Sequence, residues 1–125
     1  MRLRRLAILQ WAGLFGGGIA WACAHVFGYA IQNAECGANR AAWSMSNDAW
    51  EASLLGVSML FVLVAEAAAI AVLRGTASTT YDDDDPPASR IRFLAIAAAV
   101  SNVIFFAIIV FDLLGTLFNV ACRGS

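Results

Sequence analysis

Residues 54–73 read LLGVSMLFVLVAEAAAIAVL, an apolar run interrupted by one ionisable side chain, Glu66. A helix of about 20 residues, rising about 1.5 Å each, crosses a hydrocarbon core of about 30 Å. Two further segments, Leu6 to Ile31 and Ile91 to Val120, are at least as long and equally apolar. With 61% hydrophobic side chains and a mean hydropathy of +0.72 in 125 residues, there are too few polar positions to cover a soluble domain. The chain therefore reads as an all-α membrane protein, a single domain with three transmembrane helices. The first spans about residues 6–31, the second about 49–73 and the third about 91–120. A loop of 32–48 joins the first two and an acidic loop of 74–90 joins the last two.

Orientation follows from arginine, since the chain has no lysine. Arg2, Arg4, Arg5, Arg74, Arg90 and Arg92 flank one side, and Arg40 and Arg123 the other. The positive-inside rule then places the amino terminus and the 74–90 loop in the cytoplasm, and the 32–48 loop and carboxyl terminus outside. The basic start MRLRR and the stretch AWACA imitate a secretory signal, but the apolar core is longer than a signal's and the segment is expected to remain as a span. Arginine-rich, lysine-free, alanine-rich usage suggests a bacterial gene of high GC content, hence the bacterial cytoplasmic (inner) membrane.

In the first span a stripe of small residues comprises Ala12, Gly13, Gly16, Gly17, Ala20, Ala24 and Gly28. Such spacing lets helix backbones approach closely. It serves either another subunit or the chain's own second and third helices, and the Gly16-Gly17-Gly18 triplet is a place for a bend. In the outer loop Trp43 and Trp50 are candidate interfacial anchors. Asp48 with Glu51 has the spacing of a variant capping box, which starts the second helix near Ala49, and 41–45 is a candidate short interfacial helix.

The inner loop carries Asp82, Asp83, Asp84 and Asp85 followed by Pro86 and Pro87. Carboxylate repulsion and the proline pair disfavour helix there. It is either a solvated linker or an acidic docking strip for a basic partner; it lacks the glycine and ligand spacing of a calcium loop. Cys36 and Cys122 fall on the outer side, each near a helix end. They are a candidate disulfide, with two free thiols as the alternative. Cys23, inside the span, reads as a small packing residue.

Counting from the inner boundary places Glu66 about 12 Å deep, Ser101 about 13 Å and Asn102 about 15 Å. They share a level with Gly13 to Gly16. His25 and Asp112, at about 28 Å and about 30 Å, form a second candidate pair near the outer interface. A charged carboxylate at membrane depth is unfavourable by about 2.5–3.5 kcal/mol, so Glu66 must be neutral or face a partner. One reading hydrogen-bonds it to Ser101 or Asn102, holding the helices in register. The others make it a proton-relay group or a contact to another membrane subunit.

No nucleophile elbow, phosphate-binding loop or metal-ligand cluster stands in the sequence, and with a single histidine the chain cannot supply both axial imidazoles to a haem. No catalytic, cofactor-binding or metal-binding residue is therefore expected, nor a nucleic-acid partner. Two functions remain: a non-catalytic accessory subunit of a larger membrane complex, or a small homo-oligomeric proton or ion channel or transporter using Glu66. The latter should carry a stripe of polar residues along one helix, which this sequence lacks.

The stretch GLFGGGIAWACAHVFGYAI (13–31), the outer cysteine, the Trp-bearing segment before the second span, and RIRFLAIAAAVSNVIFFAIIVFDLLGTLFNVAC (90–122) resemble small three-span proteins associated with bacterial haem-copper cytochrome c oxidases. The resemblance covers most of the chain. It implies a supporting role in a respiratory, electron-transport complex, beside larger integral membrane subunits and lipids. Haem or quinone would then belong to the partner subunits, with no catalytic residue to carry over.

Overall fold

The computed structural model describes residues 2–36, 46–78 and 86–118. The described residues form three helices: α1 (Arg2–Cys36), α2 (Asn47–Gly75) and α3 (Pro86–Phe118). All three are long and apolar enough to cross a membrane.

Each helix is longer than its apolar run. α1 continues past Ile31 through Gln32, Asn33, Ala34 and Glu35. No breaker intervenes before Gly37, and Asn33 Nδ2 donates to the Tyr29 carbonyl at 2.9 Å. The Gly16-Gly17-Gly18 triplet lies within continuous α-helix.

α2 starts two residues before the expected Ala49, and Asp48 is not its cap. Ser46, in extended conformation, takes that position and accepts from the Ala49 amide at 3.3 Å. A serine hydroxyl satisfies one of the orphan donors of a first turn as well as a carboxylate does. Asp48 lies instead in the first turn, where a negative charge favours the helix dipole. α3 begins at Pro86, so the proline pair opens a helix in place of ending a loop. Proline is tolerated in a first turn because the amide it lacks would have no partner there.

Contacts along the helices fix the topology. Leu6 meets Gly75, Gly13 meets Ala65 and Ala69, and Ala24 clusters with Leu55, so α1 and α2 are antiparallel. Gly13 also meets Asn102, and His25 meets Asp112, so α1 and α3 run parallel. Two apolar cores result. Val72, Ile91 and Ala95 pack with Leu6 and Leu73 at one end. Ala24, Leu55, Val62 and Ile109 pack with Trp21, Phe105 and Phe106 further along. Large apolar side chains such as Val26, Phe27, Val64, Phe111 and Leu117 point outward, the arrangement expected of helices solvated by lipid.

The end of α2 is closed by side chains. Arg92 Nη1 donates to the Thr76 carbonyl at 2.9 Å and to the Leu73 carbonyl at 3.5 Å, while Thr76 Oγ1 donates to Val72 O at 2.9 Å. The last carbonyls of a helix lack intrahelical donors and carry partial negative charge, which a guanidinium satisfies on both counts.

Candidate functional site

The polar side chains at membrane depth form two groups on different levels. In the deeper one Asn102, 1% exposed on α3, donates through Nδ2 to the Gly13 carbonyl of α1 at 3.0 Å. Glycine makes this bond geometrically accessible. A Cβ at Gly17 would lie 2.5 Å from Asn102 Oδ1, and one at Gly13 would press at 3.2–3.3 Å on the backbone of Ala69 and Ala65. The small-residue face is thus largely spent inside the chain, with Gly13 and Gly16 against α2 and Gly17 against α3. Gly18, outside the stripe as read from sequence, packs on the Phe105 ring. Ala24 is buried, Ala20 half-buried and Ala12 exposed, and a Cβ at Gly28 would meet nothing within 4 Å.

Glu66 shares the level of Asn102 but not its hydrogen bonds. No bond joins Glu66 to Asn102 or Ser101, as one reading of the sequence had it; Asn102 spends its donor on Gly13, a carbonyl that counting depth alone would not single out. Glu66 Oε2 is buried without a hydrogen-bond partner, and so is Asn102 Oδ1. Beside them, between α2 and α3, lies a notch of about 180 Å³ lined by Val62, Leu63, Glu66, Asn102, Val103 and Phe106. Its walls are apolar. Ser101 is half-buried on α3.

The second group joins α1 and α3. His25 Nε2 lies 3.6 Å from Asp112 Oδ2, an ionic contact only when the imidazole is protonated. Trp21 completes it: its indole Nε1 donates to the same Asp112 oxygen at 3.4 Å, and its ring lies 4.6 Å from that of His25. The side chains of His25 and Asp112 are 47% and 32% exposed. Trp21 was legible in principle, since it precedes His25 by one turn on the same helix face.

Two buried polar residues carried no comparable signal. Gln10 is 3% exposed on α1, and Ser58 is 3% exposed on α2 with its Oγ unpartnered. Ser58 lies in a larger groove of about 330 Å³ between α1 and α2, lined also by Gly16, Ala20, Cys23, Phe27 and Phe61. Cys23 is a free, exposed thiol on that groove, not an interior packing residue, because the face of α1 turned to α2 leaves a gap there.

Cys36 closes α1 and is engaged. Its candidate partner Cys122 lies outside the described residues, as do Trp43, the 41–45 segment, Asp82, Asp83, Asp84 and Asp85. Trp50 stands in the first turn of α2, its amide donating to Ser46 O at 3.1 Å. Among the described residues no three His, Cys, Asp or Glu side chains are grouped to hold a metal ion. Comparison with protein-family models, with curated proteins and with solved structures finds no match to this chain.

Proposed function

We propose that this chain is a non-catalytic accessory subunit of a larger membrane assembly, contributing helix packing and stability. The observation that carries the reading is Glu66: a carboxylate on a spanning helix, one oxygen buried and without a hydrogen-bond donor among the described residues. Such a group is unfavourable by about 2.5–3.5 kcal/mol on insertion scales unless neutralised or partnered. An intersubunit contact removes that cost and stabilises the assembly at once. A channel fits less well, because Asn102, which lines the same notch as Glu66, is packed against Gly13 and Gly17.

On the resemblance of the first and third helices, the assembly is a bacterial respiratory, oxidase-like complex of the inner membrane. In that setting the arginine-rich end, with Arg74 and Arg92, faces the cytoplasm. Cys36 pairs with Cys122 at the oxidising face, and the aspartate run is a cytoplasmic docking strip. Purification of the tagged protein from native membranes in gentle detergent tests this, with mass spectrometry of co-migrating chains and an optical spectrum. Stoichiometric large subunits with a haem absorption are expected. Colourless, self-associated chains alone would overturn the proposal in favour of the homo-oligomeric channel. Glu66→Ala is expected to weaken assembly while the turnover of assembled complex stays near normal.

A further inference from the structure

Imidazole is the side chain that ordinarily gains or loses its charge between about pH 5 and 8, and the chain has a single histidine, His25. Two neighbours favour the charged ring. Asp112 Oδ2 of α3 lies 3.6 Å from His25 Nε2. That separation is too long for a hydrogen bond from a neutral imidazole, so the attraction exists only while the ring is protonated. The Trp21 ring, centred 4.6 Å from that of His25, lies within the distance of about 6 Å at which an indole attracts a cation. Trp21 is itself held in place. Its ring packs on Phe105 with centroids 5.8 Å apart, it borders the Ala24, Leu55, Val62 and Ile109 cluster, and its indole donates to the same Asp112 oxygen at 3.4 Å.

Other ionisable side chains of the three helices stand apart from this contact. On α1, Cys23 and Tyr29 lie two residues before and four after His25, and Glu35 is ten residues, about 15 Å, further along the axis. On α3, Asp112 is the only ionisable side chain after Arg92. On α2, Asp48 and Glu51 belong to the first turns, at this end of the bundle, and among the described residues neither pairs with His25. The charge that changes near neutrality at this level is therefore the imidazole's.

We propose that Trp21, His25 and Asp112 form a pH-responsive clasp between α1 and α3, closed when His25 is protonated and released when it is neutral. The sign follows from the contacts: the protonated ring gains attraction in the folded bundle, so the stabilisation is present on the acid side of the imidazole titration and is lost as pH rises through it. With His25 neutral, Asp112 keeps the indole alone, and this end of the bundle rests on its apolar contacts. α1 has room to respond there. The groove of about 330 Å³ between α1 and α2 runs past Cys23, Ala24 and Phe27, on either side of His25 in sequence. The clasp belongs to the chain by itself and does not rest on the accessory-subunit reading.

The test follows the purified full chain in mild detergent between about pH 5.5 and about pH 8, by resistance to denaturing detergent and by tryptophan emission. The unfolding equilibrium constant is expected to rise roughly twofold to threefold over that interval, the scale of a part-exposed ion pair. Emission should rise with it, because an imidazolium quenches the indole it touches. His25→Gln supplies the background of every other titrating group and should flatten both profiles. Asp112→Asn keeps an acceptor for the indole and removes the charge, so it should remove most of the stability change while emission still reports the titration. His25→Lys, charged at both pH values, should hold the resistance of the acid state throughout.

A resistance profile in Asp112→Asn equal to that of the unmodified chain would overturn the clasp, and so would one unaltered by His25→Gln. Where a variant fails to fold, the unmodified chain decides: emission that titrates while resistance stays flat also overturns it.

Discussion

Toward the start of α1 the helices approach closely: Gly13 lies against the backbone of Ala65 and Ala69, Gly17 against the Asn102 side chain, and Gly75 against the Leu6 side chain. Toward the other end of the same helices, a Cβ at Gly28 or Gly56 would meet nothing within 4 Å, and an apolar groove opens between α1 and α2. The closed half is held by a buried side-chain-to-backbone hydrogen bond and a capped helix end. The open half is held by the Ala24, Leu55 and Ile109 cluster and by a part-exposed histidine, aspartate and tryptophan. Without a hydrophobic drive between helices in lipid, close packing and interhelical hydrogen bonds decide stability, and only one half has both in full.

Substitutions can break this contrast. The largest effect is expected for Gly17→Val, whose Cβ would displace a side chain already fixed to Gly13. A loss of about 3 kcal/mol, the upper range for overpacking, should appear as reduced resistance to denaturing detergent. Gly28→Val, the same change in the open half, should cost less than about 0.5 kcal/mol. Equal losses at the two sites would erase the distinction. Asn102→Ala should follow at about 2 kcal/mol, combining the interhelical bond with the vacated volume.

Smaller effects sharpen the picture at each end. Arg92→Met retains much of the aliphatic stem and removes the donor to Thr76 and Leu73. A destabilisation of about 1 kcal/mol is expected, with faster amide exchange confined to the last turn of α2. Among the losses of a polar contact His25→Ala should be the smallest, about 0.5 kcal/mol, because the pair it leaves is partly exposed and ionic only when the imidazole is protonated. A loss at His25 exceeding that at Asn102 would invert the assignment of strong and weak halves.

The three helices were legible because twenty consecutive apolar residues admit few alternatives, and shared depth alone brought His25 to Asp112 and Glu66 to the level of Asn102. Depth counting specifies height and leaves rotation open. It could not tell that Asn102 turns toward Gly13 of α1 instead of toward Glu66. Helix ends were less legible for a related reason. Hydropathy marks where lipid stops, while the backbone continues until capping chemistry or a breaker ends it. Ser46 and Pro86 therefore set boundaries that the apolar pattern does not contain. Arg92 counted in the sequence as a topological charge, and its role as a cap emerged only when α3 was laid beside the end of α2.

That guanidinium has a consequence for how the gene can vary. Arg92 of α3 grips the terminal carbonyls of α2, and Leu6 of α1 closes over Gly75, so side chains from both neighbouring helices meet at the end of α2. A codon change at Arg92 therefore loosens the junction of α2 with α3, whereas a change among the outward-facing Val26, Phe27 or Phe111 leaves that junction untouched.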